Sequence, residues 1–178
     1  MEKRWMVRDA MSVIQSRRSV RDFTGAAVDE ELIDDILRAG MSAPTAVNMQ
    51  PWSFVVVTDR ETLDRLCDGL PYGKMLGTAG AAIVVCALPE MAYENSSEFA
   101  VIDSTCATEN ILLAAEALGL GAVWVAVWPD QQQMAHIRSV LQIPDRVIPL
   151  NVIPLGHPTE SRAPIDKYHP EKIHRGKW

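Results

Sequence analysis

Apolar residues at Val7, Met11 and Ile14 follow helical spacing and predict a first helix that ends at Arg17. A second helix is predicted from Asp29. Asp29 is placed to cap it, Glu30 and Glu31 favour its positive end, Leu32, Ile33, Ile36 and Leu37 form one apolar face, and Gly40 stops it. A polar, proline-bounded stretch from Ser42 to Pro51 leads into Ser53–Thr58, which is β-branched and apolar on both faces, as a strand covered on both sides would be. Thr58 and Glu61 spell a capping box for a helix through Leu63 and Leu66. A second covered strand is expected at Ala81–Ala87.

From Phe99 to Leu118 the chain is rich in Ala and Leu, with charges only at Asp103, Glu109 and Glu116. That pattern predicts a helix buried around most of its circumference, central or in a subunit interface. Ala122–Trp128 reads as a third strand. Asp130 with Gln133 caps a helix carrying Met134, Ile137 and Leu141, and Val147–Leu155 reads as a fourth strand. Pro149 and Pro154 cannot donate to a ladder, which predicts an edge or irregular position for that strand. No repeat, low-complexity tract or linker divides the chain, so residues 1–178 are expected to form one domain, with 156–178 an extended C-terminal arm.

A chain of 178 residues can bury about 70% of its extended surface, enough for a core without staples. With 48% apolar and 22% charged residues the composition is that of a globular protein and excludes disorder. The net charge of −6 argues against a nucleic-acid partner, because such binding needs basic stripes that release counterions. Small anions stay open, since a local group of arginines can exist in an acidic protein. Cys67, Cys86 and Cys106 form neither a CxxC pair nor an even disulfide set. With a charged N-terminus and no apolar run long enough for a signal peptide or a membrane span, the expected setting is cytoplasmic, with no membrane partner.

Several chemistries lack their residues. Gly119-Leu-Gly121 follows a helix and leads into a strand, the reverse of a dinucleotide fingerprint. Gly69 to Lys74 has the wrong spacing for a phosphate loop, and Met75 stands where Ser or Thr is needed. His136, His157, His169 and His174 show no metal spacing, so no metal is expected. There is no GxSxG elbow. Cys106, on the buried helix, reads as a small core residue.

Two stretches carry positive signals. In Arg17-Arg-Ser-Val-Arg21-Asp-Phe23, three guanidiniums and a hydroxyl could grip a phosphate and other acceptors, although arginines there also suit a helix C-terminus. In Ala43-Pro-Thr-Ala-Val-Asn48-Met-Gln50-Pro-Trp52, the amides of Asn48 and Gln50 suit the edge of a heterocycle, although the stretch also reads as a polar loop before a strand.

RRSVRDF, APTAVNMQPW, the helix ENILLAAEALGLGAVW and a GHP turn followed by a basic tail, in this order and over nearly the whole chain, resemble the FMN-dependent nitroreductase family. The resemblance implies an α+β fold with a mixed, mainly antiparallel sheet flanked by helices. It implies an intertwined homodimer with two FMN molecules at the subunit interface and the C-terminal arm round the neighbour. Arg17, Arg18, Ser19 and Arg21 resemble the family's ligands for the flavin phosphate, ribityl chain and pyrimidine edge. Pro44 and Thr45 resemble the loop laid on the ring by the second subunit, with Thr where Ser is common. Asn48 resembles the ring-edge amide, with Gln50 a further contact. Val125 and Ala126 resemble the segment whose backbone approaches flavin N5, and Lys167 the phosphate-binding base. Ile165 stands where a second Lys or Arg is frequent.

The implied activity is hydride transfer from NADH or NADPH, through FMN, to a small electron-poor acceptor such as a nitroaromatic, quinone or enone, with ping-pong turnover. Hydride chemistry belongs to the cofactor, so a missing catalytic triad is consistent with it. Related reactions in the family are dehalogenation, flavin fragmentation and dehydrogenation, and a flavin-binding module without turnover is the alternative of another class. Trp124 and Trp128 read as core or interface residues. Tyr72–Met75 and Met91–Ser97 are expected to be mobile and to shape the space near the ring.

Overall fold

The computed structural model describes residues 9–160 and 163–178. Helix α1 (Ala10–Ser16) opens on Asp9, whose carboxylate accepts the Ser12 N–H at 3.0 Å. The predicted residue Val7 lies outside the described residues. Of the apolar residues in α1, Val13 is the one buried, while Met11 and Ile14 face outward, so the packed face is not the predicted one.

Helix α2 (Glu30–Met41) buries Ile33 and Ile36. Gly40 does not stop it but lies inside it: a Cβ there would sit 2.9 Å from Ile111, so the missing side chain lets α2 close on α4. Strand β1 (Trp52–Val57) follows, and α3 (Arg60–Asp68) is capped by Asp59, which accepts the Thr62 N–H at 2.8 Å. The cap predicted at Thr58 is therefore one residue early. Aspartate there gives a charged acceptor at the positive helix end.

Strand β2 (Ala81–Ala87) is buried along its whole length, as expected. Helix α4 (Ser97–Ala117) buries Ala100, Asp103, Ser104, Ala107, Thr108, Ile111, Leu112 and Ala115. Those positions form a single i, i+3, i+4 stripe, so within one chain the helix is covered on one side and not around most of its circumference. The expected third strand is two short ones, β3 (Gly121–Ala122) and β4 (Val125–Ala126), and α5 (Gln131–Leu141) starts on Asp130, which accepts from Gln132 and Gln133.

Strand β5 (Ile148–Gly156) is irregular, one of the two alternatives expected for it, but it is central and not at the edge. The sheet runs β1–β2–β5–β3, with β4 also paired to β5, and all four ladders are antiparallel. The parallel contact is an isolated bridge between Ser19 and Ala122. Two features accommodate the prolines in the centre. The register shifts between Val85 and Cys86, where Pro149 lies opposite Cys86, and a bulge is a place where a missing donor is tolerated. The Leu155 carbonyl accepts the Gly80 N–H at 3.0 Å on the β2 side, so by alternation Pro154 faces the other flank. On that flank β3 pairs with 155–156 and β4 with 151–152, leaving no partner to miss its N–H. The edges are β1 on one side and β3 with β4 on the other, and β1, with Ser53 and Val56 exposed, is not covered on both faces.

Apolar residues alternate across the sheet into two cores. Val84, Val152 and Cys86 pack with Leu63 and Leu66 of α3 and Met134 and Ile137 of α5. Ile83, Val85, Ile153 and Leu155 pack with Ile33 and Ile36 of α2 and Ile111 and Leu112 of α4. The result is an α+β fold in which helices flank both faces of the sheet.

Candidate functional site

The arginine segment is stitched between β3 and the chain after β5. The Val20 N–H donates to Ala122 O at 3.0 Å, the Thr24 N–H to His157 O at 3.0 Å, and the Thr159 N–H to Asp22 O at 3.1 Å. With Val20 and Phe23 buried, Arg17, Arg18 and Ser19 are half-buried and Arg21 is exposed. Arg17 and Arg18 share a cavity of about 550 Å³ with Lys167, Ile165, Asp166 and Tyr168, within the range of small-molecule sites. The Arg18 guanidinium donates to Ala163 O at 3.2 Å, while Arg17 lies 3.6 Å from the Glu109 carboxylate on α4. Three cations against Asp166 suit an anion such as a phosphate.

A second cavity, of about 460 Å³, brings Arg21 and Val125 together with Pro71, Tyr72, Lys74 and Trp124. Ala126 is exposed and does not line it. Trp124 is half-buried there, so it is cavity wall as well as packing. Lys74 lies in Tyr72–Met75, the stretch expected to shape the space near the ring, although the sequence singles out no role for its charge. Its segment is tied down by Arg60, which donates to the carbonyls of Leu76 and Ala79. Met91–Ser97 lines neither cavity and forms two 3-10 turns before α4.

Pro44, Thr45, Asn48 and Gln50 line neither cavity. Their loop includes the 3-10 turn Ala46–Asn48, with Val47, Asn48 and Gln50 at φ of 51°, 58° and 53°. The Gln50 N–H donates to Thr45 Oγ1 at 3.1 Å, and Gln50 Nε2 to Asn48 Oδ1 at 3.4 Å. The Asp103 carboxylate of α4 accepts the Ala46 N–H. Within one chain, then, Arg17, Arg18 and Lys167 meet in one place, Arg21 and Val125 in another, and the amide loop is elsewhere.

Burial pushes the Cys86 thiol up to about 12, the charge of Arg138 only partly opposing it, so it has no thiolate at neutral pH. Cys106 is half-buried on α4. Among the described residues no three His, Cys, Asp or Glu side chains gather as a metal site would require, and no helix is long and apolar enough to cross a membrane.

The chain and its fold match one family. The nitroreductase family model covers residues 14–70 and 67–157, and the chain belongs to that family. A protein of Methanothermobacter thermautotrophicus with the provisional name NADH dehydrogenase/NAD(P)H nitroreductase is 45% identical over 170 residues, covering 96% of this chain and 88% of its own. The crystal structure of a Bacteroides thetaiotaomicron protein with the same provisional name superposes with a TM-score of 0.90 at 42% identity, over 97% of this chain and all of that one. A provisionally named nitroreductase of Desulfovibrio desulfuricans, solved in complex with FMN, gives a TM-score of 0.80 at 29% identity, over 97% and 99% of the two chains.

Proposed function

We propose that the chain is an NAD(P)H-dependent FMN oxidoreductase that passes a hydride, by way of flavin N5, to a small electron-poor acceptor such as a nitroaromatic, quinone or enone, in a ping-pong cycle. The observation that carries this reading is the convergence of Arg17, Arg18 and Lys167 on one cavity, in a chain whose FMN-bound relative shares its fold. The donor set fits the cofactor. Three cations face the place of a phosphate, and Arg21 with Lys74 offers donors for carbonyl oxygens of a heterocycle. When bound, FMN supplies the hydride chemistry, and the protein supplies orientation and access.

On this reading Arg17, Arg18 and Lys167 hold the phosphate, Ser19 the ribityl chain and Arg21 the pyrimidine edge. The backbone of Val125, with Ala126 beside it at the exposed end of β4, would lie toward flavin N5. The loop of Pro44, Thr45, Asn48 and Gln50 lies elsewhere in its own chain, and it reaches the ring of a second copy in a homodimer. Magnitudes support two copies. Charged hydrogen bonds contribute roughly 1.5 to 3 kcal/mol each, so three or four give about 5 to 12, while association costs about 4 to 15. Micromolar binding needs a net of about −8 kcal/mol, so the apolar ring must also be buried.

The test is the visible spectrum of the purified protein, repeated without oxygen after adding NADH or NADPH. The expected result is a flavin band that bleaches and is restored by an added quinone or nitroaromatic. A band that NAD(P)H leaves unchanged points to a binding module, and a colourless protein that takes up no FMN sinks the reading.

A further inference from the structure

Asp103 is 4% exposed, on the buried stripe of α4 between Ala100 and Ala107. A carboxylate in such a place is costly unless it does something that an apolar residue cannot. Both its oxygens face one donor, the backbone N–H of Ala46, at 3.2 and 3.3 Å. Ala46 opens a turn in which Val47 at φ 51°, Asn48 at 58° and, after the right-handed Met49, Gln50 at 53° are held left-handed. None of the three is glycine, and Val47 is β-branched, so the conformation persists only where the surroundings over-determine it. Within the loop the Asn48 N–H donates to Thr45 O, the Met49 N–H to Ala46 O, the Trp52 N–H to Gln50 O, the Gln50 N–H to Thr45 Oγ1 and Gln50 Nε2 to Asn48 Oδ1. From α4, Ser104 Oγ donates to Pro51 O at 3.4 Å and Asp103 takes the Ala46 N–H. Of these restraints, the one that carries a charge is the one at the start of the strained run.

We propose that Asp103 is a positioning residue for the flavin site: from α4 it holds Ala46, and so keeps the left-handed run in the shape that presents the Asn48 amide. Gln50 Nε2 donates to Asn48 Oδ1, which leaves the Asn48 NH2 group to donate outward. The proposal rests on the reading that this loop meets FMN, and it assigns the loop's shape to a residue that touches no ligand. Pre-organisation of this kind shows in affinity, because a floppy loop must be ordered on binding.

Asp103→Asn keeps the size and one acceptor oxygen and removes the charge. The expected result is amide exchange at Ala46 in the FMN-free protein faster by tenfold or more, and FMN binding, read by quenching of flavin fluorescence, weaker by about tenfold. Ile111→Val, fully buried on the same face of α4 and packed at Gly40, is the control for stability alone. It is expected to lower the melting temperature with FMN affinity unchanged. Asp103→Asn that binds FMN within twofold of wild type, exchanges Ala46 at the wild-type rate, or loses affinity only in the proportion that Ile111→Val does for the same fall in melting temperature, overturns the proposal. A wild-type protein that takes up no FMN overturns the underlying reading as well, and is told apart by its colourless spectrum.

Discussion

At Arg17 the guanidinium is divided between Glu109, 3.6 Å away on α4, and the cavity it lines with Arg18 and Lys167. Arg17→Ala therefore removes a cation from the anion site and leaves the Glu109 charge beside it unopposed. A charged hydrogen bond of about 1.5 to 3 kcal/mol corresponds to roughly 10- to 100-fold in Kd, and Arg17→Ala belongs at the upper end, above Arg18→Ala. A fluorescence titration with FMN checks this, and an Arg17→Ala affinity within twofold of wild type contradicts the phosphate assignment. Ile165 lines the same cavity and is 55% exposed, so Ile165→Arg adds a solvent-screened cation. A gain of about threefold at low salt that fades at high salt is the expected outcome. Arg17, Arg18 and Arg21 are marked in the chain as candidate anion ligands by residue type and spacing, and Lys167 by the family resemblance alone; that Arg17, Arg18 and Lys167 line one cavity is visible only in the fold. For Lys74 only the neighbourhood is legible, through Tyr72–Met75, since a lone cation in an irregular loop has no periodicity to mark its role. Asp103 was visible only as one of three charges in an apolar helix, and nothing in the spacing shows that it faces inward onto Ala46. The Thr45 hydroxyl, read as a possible ring contact, accepts the Gln50 N–H in its own loop.

Elements carry these residues, and their junctions are where the fold is sensitive. A Cβ at Gly121 of β3 would lie 2.6 Å from Val20 Cγ1, and Val20 sits between Ser19 and Arg21 in a β-branched, buried position that cannot swing away. Gly121→Ala should thus cost about 1 to 3 kcal/mol in denaturant unfolding and weaken FMN binding together, because relief of the clash displaces the arginine segment. Wild-type stability with the substitution would show that the strand yields at no cost. Helix starts add a pH dependence. The backbone N–H of Thr62 holds the Asp59 carboxyl below its ordinary 3.8, and that of Gln133 does the same for Asp130. A depressed folded value means the contribution is complete above the ordinary value and is lost as pH falls through the lower one. The double variant Asp59→Asn, Asp130→Asn keeps acceptors but cannot titrate, so its melting temperature should fall less steeply below pH 3.8 than that of wild type. Equal slopes would remove the caps from the acid response. Most elements could be read from periodicity, α2, β2 and α5 above all. The place of β5 could not, because proline's missing donor speaks against a central strand, and only the gap between β3 and β4 and the bulge at Cys86 remove the conflict.

For the whole molecule the question is what one chain leaves incomplete. The loop of Asn48 and Gln50 lines neither cationic cavity of its own chain, yet it is braced as a site would be. Met11, Ile14, Val47, Met49, Phe99 and Ile102 are exposed on α1, α4 and that loop. On the proposed reading a second copy covers these residues and lays its loop over the ring held by the arginines. On that reading phosphate contacts supply only part of the affinity a resident flavin requires, and burial of the ring between two chains supplies the remainder. Cofactor retention and association are then linked, each favouring the other by the same factor. Serial dilution followed by sedimentation at a flavin wavelength measures both at once. The flavin is expected to leave at the concentration where the dimer parts, and added FMN should shift that concentration downward. Isolated monomers that keep FMN at nanomolar concentration would place the whole site within one chain, and the role of the Asn48 loop would have to be sought elsewhere.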